Sequence, residues 1–109
     1  MIEHCVFVRF KASVSQEQRL ALVQAFQGLV GSIDGLLSLI AGSNTPFESK
    51  GRGFDHGFIA RFADAQALKV YQQDSRHQEM GAALVAAADG GESGILVFDL
   101  VHESRPLTC

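Results

Sequence analysis

Hydrophobic and polar positions change period several times along the chain, and each change marks an element. Glu3 to Lys11 alternates and is rich in Val and Phe, the signature of a strand. Ser15, with Gln18 three residues on, then has the form of a capping box and opens a helix. Leu20, Val23, Phe26 and Val30 follow at helical spacing, with Leu22 and Leu29 widening the stripe, until Gly31 and the Asp34-Gly35 pair end it. Leu36 to Ala41 is a second strand. Gly42 to Gly53 reads GSNTPFESKGRG, a polar loop. Asp55 to Phe62 is a third strand, and Ala65 to Gln72 begins a second helix that is re-angled around Asp74 and runs on to Ala88. After the turn Asp89 to Gly94, Ile95 to Val101 forms a fourth strand. The predicted order is β-α-β-β-α-β.

That order is an α+β, ferredoxin-like arrangement, with an antiparallel four-stranded sheet in the order 4-1-3-2. Residues 1–101 form the domain, and 102–109 are expected to be a loose or partner-touching tail. In the first strand His4, Val6, Val8 and Phe10 share one face, and Cys5, Phe7 and Arg9 the other. In the fourth, Ile95, Val97, Asp99 and Val101 lie opposite Leu96, Phe98 and Leu100. Helices cover one face of such a sheet and leave the other wet, yet here both are largely apolar. An apolar outer face marks an interface. The expected partner is a second copy, paired through Phe7, Leu96, Phe98 and Leu100 in a dimeric α/β barrel.

Composition narrows the function classes. In 109 residues, 47% are hydrophobic and the formal net charge is −3, with nine Lys and Arg that are scattered and give no footprint for nucleic acid. No apolar run is long enough to span a membrane, and the alternating N-terminus is unlike a signal peptide. Two cysteines, Cys5 and Cys109, form no disulfide framework, so the cytoplasm is the expected location. No spacing of the four His and two Cys suits a metal, and no cofactor is expected. Gly51-Arg52-Gly53 lacks the setting of a phosphate loop and reads as a lid or turn.

Antiparallel topology brings the start of strand one beside the end of strand four and the start of the second helix. His4, Asp99, Tyr71 and His77 are therefore predicted to converge at one end of the space between sheet and helices. His56 falls at the other end, as a structural residue at the rim. Val6, Val8, Val23, Phe26, Phe58 and Val97 are the expected lining of a cavity there. The chemistry this set offers is acid–base: His77 as base, Tyr71 polarising a carbonyl, Asp99 and His4 supporting them. His77 is expected to titrate upward, pulled by Asp99 through His4. Structural readings stand beside these. Tyr71 at helical spacing from Leu68 suits a core aromatic, and His77 on the same stripe suits a histidine bridging to a backbone carbonyl. A buried Asp99 needs a donor and finds it in His4, a pair that could simply set strand register.

The run FDHGFIARFADAQALKVYQQDSRH, the opening IEHCVFVRFK and the closing GILVFDL together resemble the stress-responsive dimeric α/β-barrel family. The resemblance covers roughly Met1 to Val101 and implies a homodimer packed sheet to sheet. A plant polyketide cyclase of that family has a Tyr and a His that match Tyr71 and His77, with supporting residues matching Asp99 and His4. Its His-Pro-Ala-His run is Asp74-Ser75-Arg76-His77 here, and this chain has no Trp. The resemblance implies a protein that binds a small, mostly apolar molecule in the sheet–helix cavity. Two alternatives accompany it: a cofactor-independent cyclase or lyase with a His base and Tyr polariser, and a structural dimer without ligand.

Overall fold

The computed structural model describes residues 1–45 and 47–103. Its elements are β1 (Ile2–Val8), α1 (Gln16–Gln24), β2 (Leu36–Ser43), β3 (His56–Phe62), α2 (Ala65–Gln73), α3 (Ser75–Ala87) and β4 (Ile95–Val101), with 3₁₀ turns at Ala25–Leu29 and Gly91–Gly94. The strands form one antiparallel sheet in the order β2-β3-β1-β4, which is the expected ferredoxin-like topology. Residues 104–109 of the expected tail lie outside the described residues. His102 extends the sheet by one step, its N–H donating to the Met1 carbonyl at 2.9 Å and its Nε2 facing Glu3 Oε2 at 2.6 Å.

α1 opens on the capping box, with Ser15 and Gln18 exchanging both bonds. It is shorter than the apolar stripe implies. At Ala25 the backbone tightens to three residues per turn, so Phe26 and Leu29, three apart, face the sheet together. Val23, Phe26 and Leu29 are buried, while Leu20 and Val30 at the ends of the expected stripe are exposed. β2 departs from strict alternation for a similar local reason. Leu36 pairs with Phe62 and Ser38 with Arg61, so Leu37 is the extra residue of a bulge. The bulge lets Leu36 and Leu39 both reach the core. β1 ends at Val8 rather than Lys11, and Phe10 then bridges to Ala88.

The core lies between the sheet and the helices. Val6, Val8, Phe58, Ala60 and Phe62 project from the sheet against Val23, Phe26, Leu68 and Leu84, all buried. Phe26 stacks on Phe58 with ring centroids 4.4 Å apart. At the end away from the predicted site, Asp55 ties three segments together. Its carboxylate accepts from the Phe10 N–H at 3.3 Å and Arg19 Nη1 at 3.2 Å, and faces His56 Nδ1 at 2.8 Å. Arg19 also donates to the carbonyls of Val14 and Lys11. His56 is thus a buried histidine held at the far rim, packed edge-on to Phe10.

The outer face is apolar, as its alternation implies. Phe7, Ile40, Leu96, Phe98 and Leu100 are all exposed there, Ile40 at 66% and Phe98 at 59%. Cys5 and Ile59 join them, and a Glu3–Arg61 ion pair at about 3.0 Å closes one end. β4 is bare on its helix side as well, since no helix reaches across it: Val97 is 51% and Val101 73% exposed.

Two glycines sit opposite each other on β2 and β3, Gly42 and Gly57, with unequal freedom. A Cβ on Gly57 would meet the Val6 carbonyl oxygen and the Phe7 ring at 2.6 Å, whereas one on Gly42 meets nothing within 4 Å. Gly57→Ala is expected to cost about 1–3 kcal/mol through overpacking, and Gly42→Ala to stay within about 0.5 kcal/mol of the native chain. Urea denaturation of both variants checks this; equal stability would show that Phe7 does not rest on Gly57.

Candidate functional site

Register places the first pair. His4 and Asp99 are direct partners across β1 and β4, and alternation turns both toward the helices. His4 Nδ1 lies 2.5 Å from Asp99 Oδ1. His4 is 4% exposed, boxed by the rings of Phe58, Phe62 and Tyr71 with centroids 5.7 to 6.2 Å away. Asp99 shields one edge of this imidazole while keeping a third of its own side chain in solvent. A buried polar ring therefore has a charged partner that is not itself fully desolvated, the inexpensive way to hold one.

The second pair depends on the break at Asp74. Residues six apart on a continuous helix point about 120° apart around its axis. Tyr71 and His77 would then look in different directions. Asp74 prevents this: its extended backbone (φ −66°, ψ 130°) ends α2 and starts α3. Its carboxylate accepts from the Arg76 and His77 N–H groups, capping the new helix and fixing where His77 begins. The two rings end up with centroids 4.1 Å apart. Tyr71 is fully buried, also against Phe62 at 4.9 Å, and the half-buried His77 meets Phe26 at 5.9 Å.

Asp99, His4, Tyr71 and His77 thus form a contiguous row at one end of the sheet–helix space. Two polar atoms in it are orphaned. Among the described residues neither the Tyr71 hydroxyl nor His77 Nδ1, both buried, has a hydrogen-bond partner. Such groups are rare in folded proteins because each forfeits its hydration without compensation. Burial pushes the Tyr71 hydroxyl far above the ordinary phenol range, so it stays protonated and can only donate or accept as a neutral group. Burial also lowers the His77 pKa, with His4 adding to that effect, while a backbone hydrogen bond to Gln72 and the Asp74 charge oppose it.

The direction at His77 corrects the sequence-based expectation. An upward pull from Asp99 was expected, but Asp99 is bonded to His4 on the far side of Tyr71, and desolvation dominates at His77. The imidazole is consequently neutral at neutral pH and offers one nitrogen as an acceptor. The expected cavity lining differs too. Val6, Val8, Val23, Phe26 and Phe58 are packed as core, all at most 4% exposed, and Val97 stands half-exposed on the uncovered strand. A concavity of about 650 Å³ opens on the outer face, where Phe7 and Leu96 form part of its wall. The Gly42–Gly57 pairing and Ile40, which shape it, went unread in the sequence; two glycines placed inside strands were the signal. Among the described residues no group of three or more His, Cys, Asp or Glu is placed to hold a metal ion. No helix there is long and apolar enough to cross a membrane.

Comparison with known proteins agrees with the fold. The family model described as the stress responsive A/B barrel domain matches residues 2–102. The stress-response A/B barrel domain-containing protein HS1 of Arabidopsis thaliana is 24% identical over 98 residues, covering 90% of this chain and 86% of that one. A dimeric ferredoxin-like protein of unknown function from Jannaschia sp. CCS1 is 31% identical, with a TM-score of 0.85 over 93% of this chain and 98% of its own. A hydroxynitrile lyase from Passiflora edulis has a TM-score of 0.79 at 20% identity, covering 96% of each chain, a likeness of fold.

The cap at Asp74 yields a pH dependence. Hydrogen bonding from the Arg76 side chain, together with the two backbone N–H groups, draws the Asp74 carboxyl down from 3.8 to about 2. A depressed folded-state pKa stabilises above the unfolded value, and that contribution disappears as pH falls through the folded one. Asp74→Asn retains a capping oxygen but loses the charge. The variant is expected to be less stable than the native chain at neutral pH, by a small, salt-sensitive margin because the pair is at the surface. The gap should close between pH 3.8 and about 2. Thermal unfolding across that window measures it, and a gap independent of pH would rule out the charged cap.

Proposed function

The chain belongs to the stress-responsive A/B barrel domain family, and we propose that it is a homodimer whose subunits each bind a small, mostly apolar molecule. The ligand's carbonyl or hydroxyl oxygen would meet the Tyr71 hydroxyl and His77 Nδ1. One observation carries this reading: Tyr71 and His77, whose ring centroids are 4.1 Å apart at one end of the core, each carry a buried polar atom without a partner among the described residues. A protonated phenol donates, a neutral imidazole accepts, and a ligand oxygen placed between them would satisfy both. The His4–Asp99 pair, in ring contact with Tyr71, supports the phenol from behind.

The lowered His77 pKa favours a second reading, a cofactor-independent cyclase or lyase. His77 would remove a proton from the carbon beside one carbonyl; the resulting enolate carbon would attack a second carbonyl, forming the C–C bond as that carbonyl's π pair moves onto its oxygen. The Tyr71 hydroxyl would donate to the oxyanion, and the imidazolium would return its proton to the product. The fold's occurrence in a hydroxynitrile lyase is compatible with such chemistry, but the reading rests on Tyr71 and His77.

Homodimerisation is supported by the exposed apolar outer face and by the dimeric relative at 31% identity. Sedimentation velocity at micromolar concentration is expected to show a dimer that Phe98→Asp converts to folded monomer. A native monomer under those conditions would overturn the assembly.

Tyr71→Phe separates function from structure. Deleting an unpartnered buried hydroxyl is expected to leave stability unchanged or raise it by about 1 kcal/mol. The same change should weaken binding of small aldehydes and ketones such as hexanal and benzaldehyde about two- to tenfold, the weight of one hydrogen bond. Calorimetric titration and urea denaturation of the same samples read both. A destabilised variant with unchanged affinity would make Tyr71 a structural aromatic. Under the second reading, His77→Ala abolishes aldol or hydroxynitrile turnover while the dimer persists; a variant that unfolds or splits identifies His77 as structural.

A further inference from the structure

The concavity on the outer face has a chemical character different from the Tyr71–His77 site, from which the sheet separates it. Its floor is at Gly42, where the strand carries no side chain and nothing lies within 4 Å of where one would begin; the Phe7 ring covers the neighbouring Gly57. Phe7, Ile40, Ile59 and Leu96 wall it, all apolar. The β2–β3 loop arches over one end and is held in place. The Asn44 N–H donates to the Asp55 carbonyl at 2.8 Å, the Phe54 N–H to the Gly51 carbonyl at 3.0 Å, and Arg9 stacks over the Phe54 ring at 5.5 Å.

That loop delivers two cations to the rim, Lys50 and Arg52. Neither has an ion pair or hydrogen bond among the described residues. Arg52 is also the one non-glycine with a positive φ, 55°, among the described residues, followed by Gly53 at 84°. A left-handed backbone at a non-glycine residue stores strain and is characteristic of positions held for a purpose. Glu48 borders an adjoining hollow that shares Arg52 with the trough, and does not itself line the trough. The volume, about 650 Å³, falls in the range of small-molecule sites.

We propose that this trough binds an amphipathic carboxylate, with the hydrocarbon tail lying over Gly42 against the Phe7 ring and the carboxylate held by Lys50 and Arg52. An apolar bed with unpaired cations at one end is complementary to that class of molecule; a compact polar anion would leave the bed empty, and a neutral lipid would leave the cations unused. Phe7 and Leu96 belong both to the trough and to the face proposed to pair with a second copy. A partner sheet would therefore roof the bound tail, and tail burial would be greater in the dimer than in one subunit.

Calorimetric titration of the full chain with octanoate, decanoate and dodecanoate, and with decanol and decylamine as controls, tests the proposal. Affinity for the acids is expected to rise about two- to fourfold per added methylene, and decanoate to bind at least tenfold tighter than either control. Lys50→Ala with Arg52→Ala should remove that preference for the acid and leave decanol unaffected. Gly42→Leu, whose side chain has open space in the trough, should abolish binding of all three acids. Tyr71→Phe should change none of these affinities, which separates this site from the one proposed above. Equal binding of decanoate, decanol and decylamine would overturn the role of the cations. Undiminished binding in Gly42→Leu would place the ligand elsewhere. No binding by the native chain, with Gly42→Leu weakening the dimer in sedimentation, would show that the partner subunit itself fills the trough and would also overturn the proposal.

Discussion

A strand has two faces, and this sheet has helices for only one of them. The three helices bury the side that carries Val6, Phe58 and Phe62, while Phe7, Ile40, Phe98 and Leu100 stand on the other with no element among the described residues to cover them. Side-chain alternation leaves no freedom here, because moving an apolar residue off the outer face would move its neighbours off the core. The position of the site, the trough and the unpaired apolar face all follow from that imbalance. The inner face holds a dense core with polar groups only at its ends, and the outer face holds the open space.

At one end of the inner face, polarity has been placed where it costs stability. A phenol hydroxyl and an imidazole nitrogen are buried without partners, next to a histidine that has one in Asp99. The contrast between the two histidines is instructive. His4 is more deeply buried but satisfied, so it acts as a fixed wall for Tyr71. His77 is less buried but unsatisfied, so its protonation is governed by its surroundings rather than by a dedicated carboxylate. Buried polar groups left unpaired are rare enough in a native fold to call for an explanation, and the ligand proposed above supplies one.

Much of the fold was legible in the sequence because local rules act on few residues at a time. The Ser15–Gln18 box, the Asp74 interruption and the four strands all rest on capping, turn and alternation signals. The strand order then brought His4, Asp99, Tyr71 and His77 to one end without any knowledge of their distances. What stayed hidden depended on length scales that pattern does not encode. The switch to a 3₁₀ turn at Ala25 changes which of Leu20, Phe26, Leu29 and Val30 face inward. The bulge at Leu37 sets the register that puts Gly42 opposite Gly57, and so creates the trough. The direction of titration at His77 turns on Asp99 being spent on His4 rather than shared. Val97 looked like a cavity residue because its face was right; no helix extends far enough to enclose it.

Among the described residues β4 occupies the edge of the sheet, hydrogen-bonded to β1 alone, and both its faces are bare apart from the half-covered Ile95. An element anchored on a single side has the smallest free-energy cost of transient opening, and its amides exchange with solvent ahead of those in the sheet interior. Asp99 travels with this strand. When β4 lifts, His4 loses its carboxylate partner, and one edge of a ring otherwise boxed by Phe58, Phe62 and Tyr71 meets solvent. A second subunit laid across Phe98 and Leu100 would hold the strand down, so assembly would set how often the His4 edge is wetted.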